Sequence, residues 1–155
     1  MLNRLSMPIQ VGISVSDVKL ASVALSQLFA IDSWRFATWS ADGVAGSTHR
    51  GIPNPDWKGE LAFAQLGAIE IELIQDVAGA SSYQESVARS GLGIRHIMFA
   101  VPDVSAAIKL AAQQGIGVST QITNADGVPT WTVLDTSERF GFDVEIALKV
   151  DMEPE

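Results

Sequence analysis

Apolar and polar residues alternate along four segments of the chain, with the two-residue period that is typical of a β-strand with one buried face. In the segment IQVGISV, the side chains of Val11, Ile13 and Val15 share one face, and Gln10 lies on the other. The same period recurs in AIEIELIQ, RHIMFAV and FDVEIAL, where polar residues again oppose the aliphatic ones: Glu72, His96 and Glu145. Each strand therefore has one apolar face that a helix can cover and a second face that can line a cavity.

The arrangement of predicted elements occurs twice along the chain. The strands in IQVGISVSDV and RHIMFAVPDV are each followed by an aspartate, Asp17 or Asp103, which is a favourable N-cap for the helical segment after it. Three strand-like runs follow each helix: SWRFATW, ELAFAQLG and AIEIELIQ in the first half, and IGVSTQI, TWTVLD and FDVEIALKV in the second. The sequence thus predicts two βαβββ modules, residues 1–75 and 94–155, within one compact domain. Residues 76–93 join them and include a short predicted helix in SSYQESVAR.

One connection inside the first half is longer than the others. Residues 40–58 contain three glycines and two prolines, a composition that is typical of a long loop. We expect this loop to lie near the opening of the cavity, and we expect its histidine, His49, to be solvated.

The composition narrows the class of protein. The 155 residues include 18 Asp and Glu but 10 Lys and Arg, giving a net charge of −8 without any basic run. We therefore expect neither nucleic acid nor an anionic membrane as a partner. The absence of cysteine excludes disulfides, thiolate catalysis and thiolate metal ligands. The start MLNRLSMPIQ lacks the apolar core of a signal peptide, and no segment is long enough to span a membrane, so we expect a cytoplasmic protein.

The polar residues within the strands need partners, because an isolated buried charge is costly or changes its protonation state. Glu72, Glu145 and His96 could satisfy one another around a cation, and a metal site is the most economical interpretation of the three together. Each also has a purely structural interpretation. His96 could be a hydrogen-bonded core histidine, Glu72 could face water on an exposed sheet, and Glu145 could be a solvated edge residue.

The stretches IQVGISVSDV, IEIELIQD, GLGIRHIMFAVPDV and FGFDVEIA resemble the vicinal oxygen chelate superfamily, which includes glyoxalase I, methylmalonyl-CoA epimerase and bleomycin-resistance proteins. The resemblance covers residues 8–150. It implies an α+β fold in which tandem βαβββ modules form a cup-shaped, half-open mixed sheet with the helices outside, usually within a homodimer. It also implies one divalent metal ion per chain (Zn, Ni, Co or Mn), held by Gln10, Glu72, His96 and Glu145.

The resemblance further implies a reaction. In the isomerases of this superfamily the ion holds a carbonyl group, and a ligand carboxylate, here Glu145, removes a proton from the neighbouring carbon. The run ELIQDVAGASSYQESVARSGLGIRHIMFAV is similar to the epimerase branch, which implies a substrate with vicinal oxygens such as an acyl-CoA thioester. That branch commonly has a second catalytic glutamate where this chain has Leu61. The adjacent Glu60 could take that catalytic role only if a β-bulge turned it inward.

Two alternatives remain open. A glyoxalase I-like lyase would act on a glutathione adduct, but the arginine that helps to hold glutathione in that enzyme is replaced by Ser14. A bleomycin resistance-type protein would bind a drug in an aromatic groove without metal or catalysis. The four tryptophans that could line such a groove are Trp34, Trp39, Trp57 and Trp131.

Overall fold

Residues 7–148, which the computed structural model describes, form one ten-stranded, open mixed sheet and four α-helices. The strands are β1 (Pro8–Ser14), β2 (Arg35–Ser40), β3 (Gly46–His49), β4 (Ile52–Pro53), β5 (Lys58–Leu66), β6 (Ile69–Ala78), β7 (Gly93–Val101), β8 (Val118–Thr123), β9 (Pro129–Leu134) and β10 (Asp143–Leu148). The helices are α1 (Val18–Phe29), α2 (Ser82–Ser90), α3 (Val104–Gln113) and α4 (Ser137–Phe140), and a 3-10 turn spans Ala41–Gly43. This architecture confirms the predicted α+β fold of tandem βαβββ modules. No helix in residues 7–148 is long and apolar enough to cross a membrane.

The two modules meet at the centre of the sheet, whose strand order is β2-β5-β6-β1-β7-β10-β9-β8-β3-β4. Strand β1 runs parallel to β6 and antiparallel to β7, and β7 runs parallel to β10. The four strands that carry the predicted metal ligands are therefore consecutive neighbours. Their register places Gly12 opposite Glu72 on one side and opposite His96 on the other.

The aliphatic face of the sheet is covered by α1 and α3. Each helix begins after a capping aspartate, because Asp17 accepts hydrogen bonds from the backbone N–H groups of residues 19 and 20, and Asp103 accepts one from residue 106. The buried cluster at α1 contains Val18, Ala62 and Leu73, and the cluster at α3 contains Val101, Val104, Ala111, Leu134 and Ile146. Full burial of such a side chain contributes about 1.5–3 kcal/mol. The helices thus stabilise one face and leave the other to build a cavity.

The glycine- and proline-rich segment of the first module contains regular structure that its composition does not predict. It forms the 3-10 turn and the hairpin β3–β4, and β3 pairs antiparallel with β8 of the second module. The chain therefore passes from β2, at one edge of the sheet, to the far side of the sheet and back to β5. This path takes the segment across the open face of the sheet.

The expectation that His49 is solvated is wrong. Its side chain lies at the end of β3 and is buried, with Nδ1 3.1 Å from Oγ1 of Thr120 and Nε2 2.9 Å from Oε1 of Glu85. The guanidinium of the next residue, Arg50, contacts the same carboxylate at 2.7 Å and Asp135 at 2.9 Å. These contacts fasten the hairpin to α2 and to the second module.

Candidate functional site

The structure brings all four predicted metal ligands together around the imidazole ring of His96. Atom Oε1 of Gln10 lies 3.0 Å from His96 Nε2, and Oε2 of Glu72 lies 3.3 Å from the same nitrogen. Oε2 of Glu145 lies 3.3 Å from the other ring nitrogen, Nδ1. The four residues are 5%, 8%, 0% and 1% exposed for Gln10, Glu72, His96 and Glu145 respectively, so water does not screen these interactions fully.

The imidazole ring occupies space that is free only because residue 12 is a glycine. A Cβ atom at Gly12 would lie 2.1 Å from Cε1 of His96 and 2.4 Å from Nδ1, distances that are too short for non-bonded atoms. The alternation along β1 predicts no role for Gly12. Gly12 is two residues after Gln10 and therefore lies on the same face of β1. This shared face is the signal that could have indicated its role.

Burial and charge act in opposite directions on the two titratable groups at the centre. Burial alone would lower the pKa of His96, but the negative charges of Glu145 and Glu72 outweigh it and raise this pKa above its ordinary value. For Glu145, burial raises the pKa to about 7, although the nearby His96 opposes the shift. The site therefore holds a carboxyl group that can gain or lose a proton near neutral pH.

Both oxygens of Glu145 accept hydrogen bonds from aromatic side chains. The hydroxyl of Tyr83 donates to Oε2 at 3.0 Å, and the indole N–H of Trp131 donates to Oε1. Tyr83 belongs to α2, in the connection between the modules, and its ring lies 5.7 Å from that of His96 between centroids. Burial raises the pKa of Tyr83 well above its ordinary value, so its hydroxyl keeps its proton and remains a donor. Sequence reasoning missed Tyr83, because no local pattern indicates that α2 reaches the site.

The amide of Gln10 is oriented by a second acidic residue of β6. Its Nε2 donates a hydrogen bond to Oε1 of Glu70 at 2.7 Å, which directs the amide oxygen towards His96. Glu70 pairs with Gln10 across β1 and β6 and shares the inner face with Glu72. The alternation in AIEIELIQ indicated that shared face, although it gave no reason to connect Glu70 with Gln10.

A cavity of about 330 Å³ lies against this group of residues, a size within the range of small-molecule sites. The polar groups that face it are Gln10, Glu72 and Glu145, whereas His96 lies beneath them. The remaining lining is aromatic and aliphatic: Trp39, Val44, Trp57, Leu61, Phe63, Tyr83, Met98, Ile122 and Trp131. Three of the four tryptophans considered for a groove therefore line the cavity. Trp34 does not; it packs near α1 and donates a hydrogen bond to Ser26.

Glu60, predicted as a second catalytic residue, is not brought to the cavity. Its carboxylate accepts a hydrogen bond from the Thr38 hydroxyl at 3.0 Å, whereas the next residue, Leu61, lines the cavity. The irregularity in the pairing of β5 lies between Lys58 and Gly59, before Glu60. Regular alternation along β5 therefore points Glu60 and Leu61 to opposite faces.

The side-chain types of the four residues are suitable ligands for a divalent ion, but the positions of these side chains suit a single ion only in part. Within the described range, no three His, Cys, Asp or Glu side chains are placed so that they could hold one metal ion. The amide oxygen of Gln10 and the carboxylate of Glu72, however, approach His96 Nε2 at 3.0 and 3.3 Å. Neighbouring ligands at about 2.1 Å from one ion are separated by about 3 Å. The two distances to Nε2 thus suit an ion bound between Gln10, Glu72 and His96, while Glu145 lies at the opposite ring nitrogen.

Comparison with known proteins agrees with this fold. The chain belongs to the glyoxalase/bleomycin resistance protein/dioxygenase superfamily, whose family model matches residues 9–132. No curated protein sequence matches the chain significantly.

Solved structures with the same fold match the chain at low sequence identity. A hypothetical protein, BH1468, from Bacillus halodurans has a TM-score of 0.66 at 16% identity, covering 96% of this chain and 98% of that one. A variant of the methylmalonyl-CoA epimerase from Streptomyces coelicolor, in complex with 2-nitronate-propionyl-CoA, has a TM-score of 0.66 at 18% identity, with coverage of 97% and 99%. The methylmalonyl-CoA epimerase from Mycobacterium tuberculosis has a TM-score of 0.65 at 14% identity, with coverage of 97% and 92%. At such identities the likeness is one of fold.

Proposed function

We propose that the protein is an isomerase of the epimerase type, which removes a proton from a carbon next to a carbonyl group and returns it. The observation that carries this proposal is the position of Glu145, a buried carboxylate at the edge of an apolar cavity. A carboxylate that is removed from water binds a proton more readily than a solvated one. It can therefore serve as the base in such a reaction.

The contacts of Glu145 suit a base that must act repeatedly in one place. Tyr83 and Trp131 each hold one carboxylate oxygen, which fixes the orientation of the group towards the cavity. His96, 3.3 Å away, lies beneath the carboxylate and away from the cavity. The apolar lining keeps bulk water from the carbon that exchanges its proton.

Gln10, Glu72 and His96 are the residues that we propose to hold a divalent ion. When bound, such an ion supplies a Lewis acid that polarises a substrate carbonyl. Gln10 is held by Glu70, and Gly12 leaves room for the ring of His96. These two neighbours preorganise the amide oxygen and the imidazole for that role.

The epimerases among the similar structures make this reaction the first hypothesis, with an acyl-CoA thioester as the substrate to test first. The aromatic lining of the cavity favours a second candidate, a bleomycin resistance-type protein that binds its ligand without catalysis. A glyoxalase I-like lyase is tested alongside, because it also begins with removal of a proton next to a carbonyl.

The test is exchange of a substrate proton with deuterated water, followed by mass spectrometry or NMR. Methylmalonyl-CoA, the hemithioacetal of methylglyoxal with glutathione, and the uncharged aromatic hydroxyketone benzoin would each be incubated with the protein and an added divalent ion. Glu145→Gln should lose exchange by about 100-fold or more, because an amide cannot accept the proton. Glu60→Gln is the matched control, since it makes the same chemical change outside the cavity. The absence of exchange from every carbon acid, or full activity of Glu145→Gln, would contradict the proposal.

A further inference from the structure

We propose that the cavity binds a small aromatic molecule without negative charge, rather than an acyl-CoA thioester. This inference names the substrate class of the same site, and so it rests on the proposed function for its catalytic meaning. It is carried by two independent features of the cavity: the arrangement of its aromatic rings and the sign of the charges around it.

The aromatic rings form a continuous surface along one side of the cavity. The ring centroid of Trp39 lies 4.6 Å from that of Trp57 and 6.4 Å from that of Trp131, and Trp57 lies 6.4 Å from Tyr83. Trp57 is buried, but Trp39 and Trp131 are only partly buried and line the cavity. Exposed aromatic faces of this kind favour a flat ligand that can stack on them or meet them edge to face.

The charges around the cavity disfavour an anion. Among residues 7–148, its lining includes the carboxylates of Glu72 and Glu145 but no lysine or arginine. Even a bound divalent ion would only balance these two carboxylates and would leave no surplus positive charge. Without a bound ion, an anionic group brought into this site would lose its hydration without gaining a cationic partner.

Two arginines of the first module already contact acidic residues, Arg50 closely and Arg35 at longer range. Arg35 lies over the ring of Phe63 at 4.1 Å and 3.9 Å from Glu70. Arg50 is held by Glu85 and Asp135. Coenzyme A carries phosphate groups that proteins usually bind through free arginine or lysine side chains. The charge arrangement therefore favours an uncharged or cationic ligand over an acyl-CoA.

The test is a calorimetric titration with three probes of one shape and different charge: 2-naphthamide, 2-naphthamidine and 2-naphthoate. In protein without an added divalent ion, the amide and the amidine should each bind at least about tenfold more tightly than the carboxylate, because only the carboxylate loses its hydration without gaining a partner of opposite charge. Methylmalonyl-CoA should show no saturable binding. Tighter binding of naphthoate, saturable binding of methylmalonyl-CoA, or no binding of any naphthyl probe would overturn the inference.

Two variants of the same strand test the aromatic contribution. Trp39→Leu removes a ring from the cavity, and it should weaken naphthamide binding by about fivefold. Phe36→Leu removes a half-exposed ring from β2 outside the cavity and should leave the affinity unchanged. Equal affinities of Trp39→Leu and the parent would contradict the inference. If Trp39→Leu does not fold, the three probes on the parent protein still decide the question of charge.

These experiments distinguish failure of the proposed ligand class from failure of the proposed isomerase activity. Tight binding of naphthamide without exchange of any carbon acid would refute the isomerase and leave the ligand class standing. Exchange of methylmalonyl-CoA that depends on Glu145 would refute the ligand class and leave the isomerase standing.

Discussion

The contact between Gly12 and the ring of His96 predicts a large effect from a single methyl group. In Gly12→Ala the new Cβ would lie 2.1 Å from Cε1, 2.4 Å from Nδ1 and 2.5 Å from Nε2 of His96. The ring must therefore leave its position or the two strands must separate. Because His96 is 0% exposed, it has no solvent-filled space to enter.

The cost follows from overpacking and from the interactions that the ring would lose. Forcing one extra methyl group into a close-packed interior costs about 1–3 kcal/mol. Displacing the imidazole also separates it from Glu72 and Glu145, and loss of one partner of a buried ion pair costs about 3–5 kcal/mol. Since the ring is shifted rather than removed, we expect Gly12→Ala to lower the free energy of unfolding by about 2–4 kcal/mol.

Urea unfolding of the parent and four variants (Gly12→Ala, Gly117→Ala, His96→Ala and the double variant of Gly12 and His96) measures this effect and assigns its cause. Gly117→Ala is the control, because a Cβ at this exposed glycine meets nothing within 4 Å. In a background of His96→Ala, the same Gly12→Ala change should cost much less, since the ring that it strikes is absent. A cost for Gly12→Ala no larger than that of Gly117→Ala would refute the reasoning. So would an equal cost with and without His96.

Four further outcomes are expected. His96→Ala should remove most of the affinity for a divalent ion in a calorimetric titration, whereas His49→Ala should not. A chelator should also lower the Tm of the ion-bound parent. Equal ion binding by both variants would refute the assignment. Asp103→Ala should lower the free energy of unfolding by about 1 kcal/mol in urea through loss of the α3 cap, and an unchanged midpoint would argue against the cap. Light scattering should report a homodimer, the common symmetric assembly, and a monomer at working concentration would contradict this. Arg50 and His49 lower the pKa of Glu85 from 4.5 to about 2. The stabilisation of the fold by the Glu85 carboxylate is therefore present above pH 4.5 and is lost as the pH falls towards 2. Glu85→Gln should flatten this part of the plot of unfolding free energy against pH, and an unchanged slope would exclude the contribution.

Alternation along single strands predicted which face each polar side chain occupies, whereas the cup-shaped fold and the meeting of four of them at one site were expected from the resemblance to the vicinal oxygen chelate superfamily. Gln10, Glu72, His96 and Glu145 were each in the opposite phase to their aliphatic neighbours, and the sheet brings their strands side by side. The duplicated βαβββ pattern predicted the order of elements along the chain. What was predictable therefore came from periodicity within a strand, repetition between the modules and the family resemblance.

The remaining features depend on contacts between distant parts of the chain. Tyr83 reaches Glu145 from α2, 62 residues away in sequence, and nothing in SSYQESVAR indicates this contact. The pairing of β3 with β8 likewise depends on residues in the other module, so composition alone predicts a loop there. The sequence shows that Glu60 is next to Leu61, the position of the expected second catalytic glutamate. Only the structure shows that the irregularity of β5 lies before Glu60 and therefore does not turn it inward.

The pairing of β3 with β8 also imposes an order on folding. The side chains of His49 and Thr120 that meet at this pairing are 71 residues apart, so the hairpin has no partner strand until the second module has been synthesised. Contacts so distant in sequence form slowly, and the contact of Trp39 with Trp131 of β9 also waits for the second module. The first module therefore has the same order of elements as the second, but its hairpin β3–β4 lacks a partner strand until the second module is present. A chain released after residue 75 should fail to protect the β3 amides from hydrogen exchange, whatever its helix content.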